Sequence, residues 1–211
     1  MEPILLHIKN LKRPVFTTHE LAAVSGKSSS NVTQSLNVLA KNRIITKIFR
    51  GIWADAGSEK VSPYAVVPFL LPRQRAYVSF LSALHLHGMI GQIPQVVMLA
   101  TCAHTKTIRT AAGVFELHQI APRLFNGFVW YRGTGSFLIA EPEKALVDSI
   151  YLSTRKKKQF TYFPELYFDK NFDFKKATRW VERIPDRKIR ASASDRLKRL
   201  KGLKGLSLSV I

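Results

Sequence analysis

Ser29, Ser30, Thr33, Gln34, Asn37 and Lys41 bring hydroxyls, amides and one lysine into a single short stretch of the chain. If that stretch is helical, a turn of about 100° per residue puts Ser30, Thr33, Gln34, Asn37 and Lys41 on the side opposite Val32, Leu36 and Leu39. An ordinary solvated helix face is rich in Glu and Lys, whereas this one carries no acid. Its chemistry suits the edges of bases: Asn and Gln pair bidentately with adenine, hydroxyls serve several partners, and Lys meets guanine or phosphate. Lys47 and Arg50 follow it, and Arg155, Lys156, Lys157 and Lys158 form a later basic run. Both groups suit phosphate oxygens, which position a protein on a duplex without reading its sequence.

Other residues of reactive type do not fall at useful spacings. His85 and His87 stand two apart on a predicted helix, so they point in different directions and cannot chelate from one face as an i, i+4 pair would. His104 and His118 add no ligand spacing, and neither a metal nor a cofactor is expected. Glu141 and Glu143 open a predicted helix, where negative charge complements the macrodipole, and Asp148 lies further along it. Ser25-Gly26 lacks the glycine spacing of a nucleophile elbow, and no phosphate loop is present. The alternative from the enzyme class is a metal-dependent nuclease or another nucleic-acid-processing enzyme, using Glu116 and nearby histidines. It rests on residue type alone, so the expectation is a binding protein with no catalytic residues.

The elements that must hold the polar face are legible around it. Ile4, Leu5, Ile8 and Leu11 recur at helical spacing, and Pro14 stops that helix. Thr17 and Glu20 have the spacing of a capping box and start a second helix containing Leu21 and Val24. Gly26 permits a tight turn, and Ser28, Ser29 and Ser30 offer cap oxygens for a third helix reaching about Arg43. Ile44 to Ala54 then reads as a hairpin with Arg50-Gly51 at its turn, which lifts Lys47 and Arg50 to the tip of a wing. The expected unit is a winged helix-turn-helix over residues 1–56, followed by a polar linker from Asp55 to Ser62.

Beyond it, Tyr77, Phe80, Leu81 and Leu84 predict a helix ending at Gly88, and Val96 to Ala100 reads as a buried strand. Thr107–Thr110, Val114–Ile120, Phe128–Tyr131 and Phe137–Ala140 read as further strands. Glu141-Pro142 opens a helix through about Leu152, with Leu146, Val147 and Ile150 facing inward. These elements predict a mixed α/β domain over residues 63–152. A basic, mainly helical extension over 153–211 completes an α+β chain. Asp173 caps one helix running to Ile184, Pro185 interrupts, and Ser194-Asp195 starts another.

Charge narrows the partner. The 211 residues hold 33 Lys+Arg against 14 Asp+Glu, a net charge of +19, and 46% hydrophobic residues leave ample material for cores. Such an imbalance in a globular chain points to a polyanion. It is polarised: residues 1–56 carry +5, residues 57–152 carry +3 and residues 153–211 carry +11. No run reaches the roughly 18 apolar residues of a membrane span, and the N-terminus has no signal-peptide pattern. With Cys102 as its only cysteine, the chain is expected to be cytoplasmic and nucleoid-associated, with double-stranded DNA as partner and no membrane.

Over residues 14 to 152 the chain resembles the AbiEi family, the antitoxin and repressor halves of bacterial AbiE-type abortive-infection, type IV toxin-antitoxin pairs. The likeness rests on the helix-turn-helix pattern and on Ile48-Phe49-Arg50-Gly51-Ile52-Trp53. It rests more specifically on Tyr77-Val78-Ser79-Phe80-Leu81-Ser82-Ala83-Leu84-His85-Leu86-His87-Gly88, Gln92-Ile93-Pro94, and Ala140-Glu141-Pro142-Glu143-Lys144-Ala145-Leu146-Val147-Asp148. The resemblance implies a repressor of its own operon and a cognate nucleotidyltransferase-like toxin as second partner.

Overall fold

Side-chain caps decide where the second and third helices begin. A computed structural model of the chain describes residues 3–57, 61–131, 136–155 and 164–207, in a mixed α+β fold with two compact units. The first unit is residues 1–72 with 109–114. It runs α1 (Ile4–Asn10), β1 (Val15–Thr17), α2 (Thr18–Ser25), α3 (Ser29–Lys41), β2 (Ile45–Phe49), β3 (Ile52–Asp55) and α4 (Pro63–Val66). Thr17 Oγ1 accepts from the Glu20 amide at 3.2 Å, and the Glu20 carboxylate accepts from the Thr17 amide at 3.0 Å. This is the reciprocal box the sequence predicts, with Thr17 itself as the cap. Gly26 takes φ +66 between α2 and α3, a conformation that costs glycine little. Ser28 then caps α3 by accepting from the Asn31 amide at 3.3 Å.

Glu20 also pairs with Arg13. Burial alone would raise its carboxyl, but hydrogen bonds from Arg13 and Thr17 and the charge of Arg13 outweigh burial and hold it below the ordinary value. A carboxylate depressed in the folded state contributes stability that is present above its unfolded pKa and lost as pH falls through the folded one. Glu20→Gln is therefore expected to cost about 0.5–1 kcal/mol at neutral pH, the low end of a cap's worth because the side chains reach solvent. Denaturant melts of parent and variant should converge in acid. An equal difference between them at neutral and acid pH would contradict this origin.

The three strands order β1-β3-β2, all antiparallel, with Phe16 opposite Trp53 and Thr46 opposite Ala54. Ile4, Ile8, Phe16, Leu21, Val32, Leu36, Ile45 and Trp53 form the core, with Leu39 partly buried against it. Three expectations change. Strand β1 is added, because Val15 and Phe16 pair with β3. Helix α3 ends at Lys41, two residues early, since Arg43 takes φ +58 to turn into β2. Val24 is exposed, because α2 buries Leu21 and leans Ala22 on the core.

The second unit is residues 73–108 with 115–211. It holds β4 (Ala76–Val78), α5 (Phe80–Leu86), β5 (Val97–Thr101), most of β6 (Lys106–Thr110) and of β7 (Gly113–Gln119), β8 (Phe128–Trp130), β9 (Leu138–Ala140), α6 (Pro142–Arg155), α7 (Phe174–Glu182) and α8 (Arg187–Ser207). The sheet order is β6-β7-β5-β4-β9-β8. Strand β5 runs parallel to β7 with Leu99 beside Leu117, and β4 runs parallel to β9 with Val78 beside Ile139.

Helix α6 is buried from Glu143 to Ser153 and packs against α5, α7 and α8. Tyr77 lies on β4 and not on the helix expected to contain it, because its backbone pairs with Ala100 of β5. Helix α8 is one helix from Arg187 and does not restart at Ser194-Asp195. Ile189, Ala193, Leu197 and Leu200 continue a single inward stripe past that point, at spacings of four and three. The segment expected as a basic extension thus packs on α6. Among the described residues no helix is long and apolar enough to cross a membrane.

Candidate nucleic-acid interface

Burial of Val32 and Leu36 fixes which side of α3 meets solvent. Ser29, Ser30, Thr33, Gln34, Asn37 and Lys41 are all exposed or partly exposed, so the six α3 residues picked from the sequence stand on the open surface of one helix. Their hydrogen-bonding capacity differs. Thr33 Oγ1 donates to the Ser29 carbonyl at 2.7 Å, which spends its proton within the helix and leaves its oxygen as an acceptor. Gln34 and Asn37 each carry an amide donor and acceptor, and Lys41 an ammonium donor.

Val38 joins this surface and was missed in the sequence. It is 59% exposed, beside Gln34 and Lys41 at helical spacings of four and three. The same wheel that places Leu36 and Leu39 near Val32 turns Val38 about 120° away from Val32. An exposed methyl pair among amides is suited to the methyl group of thymine.

The hairpin departs from expectation at one residue. Arg50 is exposed in the turn with Gly51, whose φ is +72. Lys47 is not at the tip. It sits within β2 opposite Trp53, with Nζ 5.4 Å from that ring's centroid, because β2 continues through Phe49, which pairs with Ile52, and leaves Arg50 and Gly51 to make the turn. Lys47 is still exposed, on the flank of the hairpin.

In the second unit, Arg155 ends α6 and is exposed, with Nη1 donating to the Gln119 carbonyl at 3.3 Å and to the Tyr151 hydroxyl at 3.2 Å. Lys156, Lys157 and Lys158 lie outside the described residues. Helices α7 and α8 expose Lys175, Arg179, Lys188, Lys198, Arg199 and Lys201 to differing degrees. Arg196 turns inward and donates to Ser153 Oγ at 2.8 Å.

Titratable groups also gather inside the second unit. Lys144, Asp148, Tyr77 and Ser79 are fully buried. Asp148 Oδ2 accepts from the Tyr77 hydroxyl at 2.9 Å and from Ser79 Oγ at 2.7 Å, while Oδ1 pairs with Lys144, which also donates to the Tyr77 oxygen at 2.8 Å. Burial, then the charge and hydrogen bond of Asp148, pushes the Tyr77 hydroxyl well above its ordinary range. Burial lowers Lys144 against the opposing pull of Asp148. The cluster joins β4 to α6. Its lysine and aspartate stand at i, i+4 in the sequence, a spacing that could have disclosed the pair. Glu141 and Glu143, expected to serve the helix dipole, also pair with Lys176 of α7 at 2.9 and 3.3 Å. Among the described residues no three His, Cys, Asp or Glu side chains converge as a metal site would require.

The chain matches no protein-family model and no curated protein.

Proposed function

We propose that the protein is a sequence-specific DNA-binding repressor in which α2, α3 and the β2–β3 hairpin act as a winged helix-turn-helix. The observation that carries this reading is the open face of α3, where Ser30, Thr33, Gln34, Asn37, Val38 and Lys41 present hydroxyl, amide, methyl and ammonium groups with no carboxylate among them. Helix α3 enters the major groove, where each base pair shows a distinct pattern of donors, acceptors and methyl groups. Arg50 at the wing tip, with Lys47 on its flank, contacts phosphates or the minor groove. Repression follows from occluding a promoter.

The AbiEi-like motifs support a shared scaffold: Tyr77, Ser79, Lys144 and Asp148 of those motifs meet in the buried cluster. On that resemblance the repressor is also an antitoxin that autoregulates its operon, which co-purification with a nucleotidyltransferase-like product of an adjacent gene tests.

Exposed bases of α7 and α8 supply phosphate contacts that hold any sequence equally. Truncating α8 would strip Ala193 and Leu197 from the core, so charge is removed by substitution. Lys175→Gln, Arg179→Gln, Lys188→Gln and Lys198→Gln, combined, should lower affinity for selected and random duplexes together and leave their ratio unchanged. The slope of log affinity against log salt should shrink by about 0.9 for each phosphate that the variant no longer neutralises. An unchanged slope would remove these helices from the DNA interface. Duplex cleavage dependent on a divalent metal would support a nuclease in place of a repressor.

A further inference from the structure

The turn from α7 into α8 borders a cleft of about 370 Å³ lined by Arg123, Glu182, Arg183, Ile184, Pro185 and Arg190. The sequence builds it in steps. The Arg183 and Ile184 amides close the end of α7 on the Trp180 and Val181 carbonyls at 3.2 and 3.0 Å. Pro185, which has no N–H to continue the ladder, ends that helix. Asp186 then caps α8 by accepting from the Ile189 amide at 2.9 Å. The turn therefore holds Arg183 on one side of the cleft and Arg190, one turn into α8, on another. Arg123 arrives from the short 3-10 turn Pro122–Leu124.

Two of the three guanidinium groups are fixed by groups that do not neutralise them. Arg183 lies over the Trp180 ring, with Cζ 4.4 Å from its centroid. Arg190 Nη1 donates to the Ile184 carbonyl at 3.2 Å. Among the described residues none of the three arginines forms an ion pair with a carboxylate. Glu182 is the one acidic residue in the lining, so the cleft carries an excess of two positive charges. Guanidinium forks present parallel N–H groups that match phosphoryl oxygens bidentately, and fixing them beforehand reduces the entropy cost of binding. The lining includes no aromatic side chain, which leaves charge, and not base stacking, as the basis of recognition.

We propose that this cleft is a phosphoryl-binding site for a group with at least two negative charges. Two sources have that chemistry, a free polyphosphate or successive phosphates of a nucleic-acid backbone. The site stands independently of the α3 reading, because no α3 residue contributes to it.

The test titrates pyrophosphate and a random-sequence duplex, separately and in competition, into the full-length protein, its Arg123→Gln variant and its Arg123→Gln/Arg183→Gln variant. Ionic strength is held constant with chloride. The parent should bind one pyrophosphate saturably, and removal of each arginine should weaken it about tenfold or more, the worth of a charge-assisted hydrogen bond. Arg123 is exposed, so the single variant should melt as the parent does without ligand and remains informative if the double variant is destabilised. Competition between duplex and pyrophosphate, with a lower duplex salt slope in the variants, identifies backbone phosphates as the occupant. Weakened pyrophosphate with unaltered duplex binding identifies a free polyphosphate. Equal pyrophosphate affinity in parent and single variant, or no binding to the parent, overturns the proposal.

Discussion

Asp148→Ala is expected to destabilise the second unit by about 3–5 kcal/mol, the cost of breaking a buried ion pair from one side. The carboxylate accepts from Tyr77, Ser79 and Lys144, so its removal leaves an ammonium and two hydroxyls facing a cavity away from water. Against a total stability of roughly 5–15 kcal/mol this is a large fraction. The destabilisation comes from orphaned partners more than from the pair's own attraction. Replacing all four polar groups together, as Lys144→Met, Asp148→Leu, Tyr77→Phe and Ser79→Ala, should therefore recover most of it. Denaturant unfolding measures both. A change below about 1 kcal/mol for the single variant would show that water reaches the site.

Gln34→Ala with Asn37→Ala is expected to abolish preference for the cognate duplex while the fold persists, since both side chains lie on the open face of α3. Each bidentate base contact is worth about 1–3 kcal/mol of discrimination, so the pair should cost about 2–6 kcal/mol in the ratio of specific to non-specific affinity. Random-sequence affinity should barely change, because phosphate contacts supply it. Equilibrium binding to both duplexes and the far-UV spectrum separate the effects. A preserved ratio in a folded double variant would remove α3 from base readout.

The local signals that proved legible were those with a mechanism inside a few residues. Thr17 and Glu20 marked a helix start because the cap is made by the two residues that signal it. Val32 and Leu36 set the open face of α3 because burial of one stripe exposes the other. Arg50-Gly51 marked a turn for a similar reason, as Gly51 has the positive φ that the turn requires. What escaped depended on distant partners. Strands β1 and β4 are three residues each, too short for alternation to register, and exist through pairing with β3 and β5. Tyr77 therefore read as the start of a helix. Lys47 missed the hairpin tip because the strand extends past it through the pairing of Phe49 with Ile52, which residue types alone do not show. The continuity of α8 escaped because Ser194-Asp195 resembles a cap locally, whereas packing on α6 decides the matter. The burial of Lys144 escaped in the same way, because the network that encloses it also draws on Tyr77 and Ser79, far away in the chain.

Methylation interference on duplexes selected from a random pool decides whether α3 reads base edges in the major groove. The full-length protein should enrich a defined sequence, and methylating purine N7 in the major groove at a few of its positions should block binding. The Gln34→Ala/Asn37→Ala variant should lose that interference while still binding at low salt. If no sequence is enriched, or if interference is confined to minor-groove positions and persists in the variant, α3 does not read DNA and the repressor account is wrong.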